Sequence, residues 1–169
     1  GDKTTTKAAE PELLKVEITG DRYTSKEFKD QEWTHMWRRV WMIAGMADDC
    51  AEPGDFFTCD LGHEPLLFVR GKDGVNGFYN ICQHRGAKLV LQEKGMMDSF
   101  SCIYHGWKYG LEGELIEAQD RDDFERDPCE HVRLADFRTE IFAGFVWYCL
   151  DDDAPGLDEF LGDMKEQLE

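Results

Sequence analysis

The sequence predicts a mainly β fold, an antiparallel β sandwich that carries a two-loop subdomain and is preceded by a short helix. Three observations carry this expectation. Helical spacing of apolar residues at 24–41 does not return for about a hundred residues, short β-type runs take over in between, and Gly-containing turns separate those runs.

Residues 1–20 mix Thr, Lys, Ala and Glu without periodicity and read as a mobile leader. Residues 21–50 form an N-terminal helical extension, residues 51–150 the β domain, and residues 151–169 an acidic linker with the start of a truncated helix. In the extension, Thr24-Ser25-Lys26-Glu27 has the Thr-x-x-Glu spacing of a capping box. Trp33, Met36, Trp37, Val40 and Trp41 then follow at i, i+3, i+4, i+7 and i+8, which makes one apolar face for packing against a larger body.

In the β region, residues 56–59, 66–70, 75–81 and 88–91 read as strands, with Gly71-Lys72-Asp73-Gly74 as a hairpin turn. Strands at 98–102 and 114–118 follow, the second preceded by the turn Leu111-Glu112-Gly113, and then the pair 132–137 and 139–148. Two acidic stretches, 120–123 and 151–153, read as solvated loops. Leu157-Asp158-Glu159-Phe160-Leu161 begins an amphipathic helix whose apolar side calls for a following domain, and Gly1 in place of Met suggests a portion of a longer chain.

Composition narrows the function. The chain has 169 residues, long enough to bury a real core, and 41% hydrophobic residues exclude general disorder. Its 36 acidic residues against 19 basic ones give a formal charge of −17, which repels nucleic acid and anionic lipid surfaces. The longest apolar-plus-glycine run, residues 141–150, is about half of what a membrane span needs, and no secretion signal precedes it. A cytoplasmic location is the expectation. Six cysteines in such a chain point to metal binding for some of them rather than to a disulfide framework.

Two short segments carry the chemistry. Cys82-Gln83-His84-Arg85-Gly86 and Cys102-Ile103-Tyr104-His105-Gly106 each offer one thiolate and one imidazole, with 17 residues between His84 and Cys102. Alternate residues of an extended loop lie roughly 6–7 Å apart with side chains on one side, so such a pair bridges two metals more naturally than it pinches one ion. If both cysteines bind one iron and both histidines the other, the result is a [2Fe-2S] centre in which neutral imidazoles make reduction easier. Gly86 and Gly106 let the backbone turn tightly and bring amide N–H groups toward the cluster sulfides, and both also read as ordinary turn glycines. The competing reading is a single zinc held by two Cys and two His, although finger-type sites take a Cys pair from one knuckle and a His pair from the other. Cys59 and Cys149 sit in apolar runs as buried free thiols, and His35, His63 and His131 are isolated surface or packing histidines.

Cys82-x-His84-Arg85-Gly86 followed by Cys102-x-x-His105-Gly106-Trp107 resembles the Rieske motif, specifically that of Rieske non-heme iron (aromatic-ring-hydroxylating) oxygenases. Residues 23–28, Trp41, Glu52-Pro53-Gly54-Asp55 and Gly144-Phe145-Val146-Trp147 resemble the N-terminal part of an oxygenase α subunit. The resemblance implies a Rieske-type β sandwich whose two loops bind the cluster through Cys82, His84, Cys102 and His105, with Arg85, Gly86, Gly106, Trp107 and Tyr109 around them. Gln83 and Ile103 stand where the family most often has Pro, at positions that hold no metal. Respiratory Rieske proteins add a disulfide and a Ser donor; here the corresponding positions are Ala87, Tyr104 and Trp107, so neither is available, while Tyr109 keeps a hydroxyl within reach of a ligand sulfur. Fewer donors predict a potential toward roughly −150 mV, the low end of the Rieske range.

The resemblance further implies an electron-transfer domain of a dioxygenase or monooxygenase, with aromatic hydrocarbon catabolism as the setting. A reductase or ferredoxin supplies the electron, which leaves by way of His105 for the mononuclear Fe(II) of a neighbouring subunit in a homotrimer. That iron belongs to a catalytic domain outside this chain, because no Asp-x-x-His motif with a second His nearby occurs here. A free-standing Rieske ferredoxin is the alternative, disfavoured by the Trp-rich segment before the first strand. A zinc-stabilised binding module is the third reading, and its lack of colour would separate it from an iron–sulfur protein.

Overall fold

Residues 66–69, four apolar side chains in a row, mark the centre of the fold. They lie in β3 (Glu64–Arg70), and all four are buried because both faces of the strand are covered. Leu67 and Val69 point into one core with Phe56, Phe78 and Leu115, whereas Leu66 and Phe68 point into another with Phe57, Phe137 and Tyr148. The computed structural model describes residues 18–119 and 121–168, so the predicted leader up to residue 17, and Asp120 in the first acidic stretch, lie outside the described residues.

Around β3 runs a seven-stranded antiparallel sheet. Its strands are β1 (Met42–Met46), β2 (Asp55–Leu61), β3, β4 (Val75–Tyr79), β5 (Lys94–Met96), β9 (Asp136–Phe142) and β10 (Phe145–Cys149), in the order β1-β10-β9-β4-β3-β2-β5. A second sheet of three short strands, β6 (Phe100–Ser101), β7 (Lys108–Tyr109) and β8 (Leu115–Glu117), completes the β body. Phe100, Tyr109 and Leu115 from the small sheet join Phe56, Leu67 and Phe78 from the large one in a shared core, so the two sheets pack as the sequence predicts.

The helical extension differs from its sequence pattern. Two short helices, α1 (Asp21–Thr24) and α2 (Lys26–Glu32), are followed by a π-helical turn at Trp33–Trp37. The cap of α2 is Ser25, not Thr24: the Ser25 hydroxyl accepts the Phe28 N–H at 3.3 Å, while the Thr24 hydroxyl donates to the Gly20 carbonyl. Wide π winding ends the regular periodicity at Trp37, so Val40 and Trp41 leave the helix face. Met36 and Trp37 stay 38% and 40% exposed, while Trp41 is buried on its own terms, its indole N–H donating to the Pro155 carbonyl at 2.8 Å.

Strand assignments differ from the sequence reading as well. The last hairpin turns at Ala143 and Gly144, both at positive φ (50° and 77°), and not near Arg138; an Ala-Gly turn lacks the Asn or Asp signal that marks most such turns. Residues 88–91 form only an isolated Ile81↔Lys88 bridge, because Leu89 and Val90 are buried through side-chain packing rather than through a ladder. Strands β1 and β5 sit at the two edges of the large sheet; β1 shows no apolar–polar alternation and β5 is only three residues long, so neither is legible. At the far end, α3 (Leu157–Leu161) covers Trp41 and Trp147 with Leu157 and Leu161, and α4 (Lys165–Leu168) follows it. Among the described residues no helix is long and apolar enough to cross a membrane.

Candidate metal centre

Two loops that reach into the core shared by the two sheets repeat a single backbone design. In the first, the Cys82 N–H donates to the Ala87 carbonyl at 2.8 Å and the Gly86 N–H to the Cys82 carbonyl at 2.9 Å. In the second, the Cys102 N–H donates to the Trp107 carbonyl at 2.8 Å and the Gly106 N–H to the Cys102 carbonyl at 3.0 Å. Flanking pairs Ile81↔Lys88 and Ser101↔Lys108 close the base of each loop. The loops are therefore structural equivalents even though the histidine comes two residues after Cys82 and three after Cys102.

Both loop glycines need their missing Cβ for the backbone itself: φ is +75° at Gly86 and +66° at Gly106. Their N–H groups close the loops onto the cysteine carbonyls. The second-position residues are accommodated: Gln83 donates its N–H to Tyr109 Oη at 3.0 Å, and Ile103 is solvent-facing.

The four donors sort by depth. Cys82 and Cys102 are buried, while the His84 and His105 rings lie outward of them with centroids 4.7 Å apart, nearly perpendicular at 84°. Together with Arg85 and Tyr104 at its rim, they line one pocket of about 480 Å³. His84 Nδ1 is buried and has no hydrogen-bond partner, which for a native polar atom calls for an occupant. Among the described residues no three His, Cys, Asp or Glu side chains converge on one point as a single-ion site. The sorting of the donors into two buried thiols and two outer imidazoles suits a two-metal cluster with unlike ligand pairs.

Electrostatics favours the same ligand forms. Burial, reinforced by the neighbouring His105 and Arg85, holds His84 below the usual imidazole range and hence neutral. Burial also pushes the Cys82 thiol up, opposed by the Tyr109 hydroxyl and the His84 N–H, so a bound metal must supply the charge that keeps this sulfur a thiolate. Trp107 is buried and stacks on His84 at 4.7 Å and 14°. Tyr109 is fully buried with its hydroxyl 3.4 Å from the Cys82 sulfur.

The remaining sulfur and imidazole groups stay apart from this pocket. Cys149 is a buried free thiol and Cys59 a half-buried one; His35, His63 and His131 are exposed. Two supporting residues escaped sequence reasoning. Asn80, fully buried, clips the chain after the first loop by accepting the Val90 N–H and donating to the Val90 carbonyl, both at 2.8 Å. Phe124 sets its ring against Trp107 at 6.0 Å. A lone polar residue in the apolar run 78–81 and a lone aromatic in the acidic run 122–125 were the available signals.

An antiparallel β body whose paired loops present two buried thiols and two outer imidazoles defines an iron–sulfur cluster domain. The family model for the Rieske [2Fe-2S] domain matches residues 40–135, and the chain belongs to that family. It is 30% identical over 148 residues to the glycine betaine monooxygenase oxygenase subunit of Pseudomonas aeruginosa, covering 87% of this chain and 34% of that protein. To the biphenyl 2,3-dioxygenase subunit alpha of Rhodococcus jostii it is 34% identical over 149 residues, covering 85% and 32%. Among solved structures, the quaternary ammonium Rieske monooxygenase CntA superposes with a TM-score of 0.81 at 29% identity, covering 88% of this chain and 42% of that one. A naphthalene 1,2-dioxygenase gives 0.78 at 33%, covering 84% and 33%. The chain thus matches the N-terminal part of oxygenase α subunits and spans about a third of their length.

Proposed function

We propose that this chain carries one electron at a time through a [2Fe-2S] cluster held by Cys82 and Cys102 on one iron and by His84 and His105 on the other. It does so as the electron-transfer domain of a Rieske non-heme iron oxygenase. A reductase or ferredoxin is the electron source, and the mononuclear iron of a neighbouring subunit's catalytic domain in a head-to-tail trimer is the destination. The observation that carries this reading is the pair of equivalent loops that bury two thiols behind two adjacent imidazoles, with His84 Nδ1 left unpartnered.

When bound, the cluster supplies a one-electron redox couple whose potential reflects ligand charge, hydrogen bonds to sulfur and access of water. The chain's own groups set those conditions. Buried Cys82 and Cys102 keep the sulfur side away from water, and the Tyr109 hydroxyl lies 3.4 Å from the Cys82 sulfur. The imidazoles form the outer side, which makes His105, beside exposed Tyr104, the ligand through which an electron leaves.

The relatives include oxygenases named for quaternary ammonium compounds as well as for aromatic rings, so the reading stands at mono- or dioxygenase and is not narrowed to aromatic hydrocarbons. Iron and acid-labile sulfide assays test it directly. Equimolar iron and sulfide, two of each per chain, with a rhombic EPR signal after reduction, support it. Stoichiometric zinc in a colourless protein overturns it. Replacing Cys82 or His84 by Ala should abolish the signal while a Cys59→Ala control retains it.

A further inference from the structure

We propose that Trp107 is a positioning residue that fixes the plane of the His84 imidazole, and that Phe124 braces it from behind. This rests on the cluster reading above and adds to it a reason for the two histidine ligands to differ.

A ligand imidazole bound through one nitrogen keeps some freedom to turn, so its plane is set by its side-chain torsions, by any hydrogen bond at its other nitrogen and by what packs against its faces. His84 is gripped on two sides: the Trp107 indole lies parallel to it at 4.7 Å and 14°, and the His105 ring meets it at 84°. Among the described residues no aromatic ring stacks on His105: its other aromatic neighbour, Tyr104, is 6.4 Å away, tilted by 31° and 71% exposed. One ligand plane therefore has a stacked partner and the other does not.

The clamp also ties the two loops together. Trp107 belongs to the second loop, where its carbonyl accepts the Cys102 N–H, yet its ring grips the histidine of the first. The indole is 4% exposed and is backed by the Phe124 ring at 6.0 Å and 63°. Phe124 is in turn carried by a loop closed by the Arg121–Asp127 ion pair, with Asp127 also capping the Cys129 N–H at 2.9 Å. A shift of this loop reaches His84 through two ring contacts.

The test compares cluster-loaded parent, Trp107→Phe, Trp107→Leu and Phe124→Ala proteins by iron and sulfide content, by the nitrogen hyperfine couplings of the reduced cluster, and by redox titration. Trp107→Leu should keep its iron, change one of the two histidine couplings, and shift the midpoint positive as water reaches His84 and favours the more charged reduced form. Trp107→Phe should restore the parent coupling and midpoint, and Phe124→Ala should show a smaller change of the same sign. A loaded Trp107→Leu protein with parent couplings and midpoint overturns the proposal. If Trp107→Leu does not load, Phe124→Ala decides: an altered coupling supports the brace, and parent values overturn it. A parent protein without iron and sulfide instead defeats the cluster reading itself, so the two failures are told apart.

Discussion

The Tyr109 hydroxyl lies 3.4 Å from the Cys82 sulfur while accepting the Gln83 N–H at 3.0 Å, so one fully buried phenol holds both the ligand and the residue after it. With Cys82 as a thiolate, the phenol proton is directed at sulfur, and such a bond is stronger the more electron density the sulfur carries. It therefore stabilises the reduced state over the oxidised one. Tyr109→Phe should lower the midpoint potential by about 59 mV, equivalent to a tenfold loss in the one-electron equilibrium constant. A redox titration of parent and variant checks the sign. An unchanged or raised midpoint would show that the hydroxyl serves only Gln83.

Asn80 supports the first loop from its other end. Its amide completes both backbone bonds of Val90, and its own N–H donates to the Pro65 carbonyl at 2.8 Å. In Asn80→Leu a buried donor and a buried acceptor lose their partners, at about 1–3 kcal/mol each. The expected loss is roughly 2–6 kcal/mol in urea unfolding, with faster release of iron on mild heating. A variant as stable as the parent would mean that the 80–90 segment is held by Leu89 and Val90 packing alone.

The four candidate ligands stand out in the sequence more than the strands around them do, and the reason lies in how each is encoded. Cys82, His84, Cys102 and His105 are chemically rare side chains at fixed spacing, so they stand out without any knowledge of packing. Strand β3 was legible for a related reason, since a doubly buried strand must be apolar at every position. The Ala143-Gly144 turn and the edge strands β1 and β5 depend instead on backbone geometry and pairing partners distant in sequence. Trp107 could be named from its motif, but its contact with His84 joins two loops and exists only once both have folded.

Gly77 guards the seam between the two halves of the large sheet. Strands β4 and β9 pair over only Gly77↔Phe137 and Phe78↔Asp136, and a methyl group at Gly77 would overlap the Phe137 ring and the Thr139 side chain. Phe137 cannot swing away, because its ring is packed against Phe68 and Tyr79, each at 5.5 Å. Gly77→Ala should therefore destabilise the fold by about 1–3 kcal/mol through overpacking, against the small gain usual for Gly-to-Ala in a strand. Denaturant unfolding measures this, and a neutral or stabilising result would show that β9 can slide relative to β4.

Alkaline pH should expose a third weakness, at Cys50. Burial, with the charges of Asp55 and Asp49 added, pushes this thiol up to about 12, and Cys59 is raised by burial to about 11. In the unfolded chain a thiol loses its proton near pH ~8.5. Between the two values the unfolded state binds fewer protons than the folded one, so stability falls as pH rises. The contribution is complete below the unfolded pKa and is lost as pH climbs toward the folded value, at no more than roughly 1.4 kcal/mol per pH unit for each thiol. Urea midpoints measured from neutral pH upward should stay level at first and then decline, and Cys50→Ala should lessen the slope. A decline of the same steepness in Cys50→Ala would assign the alkaline loss to other groups.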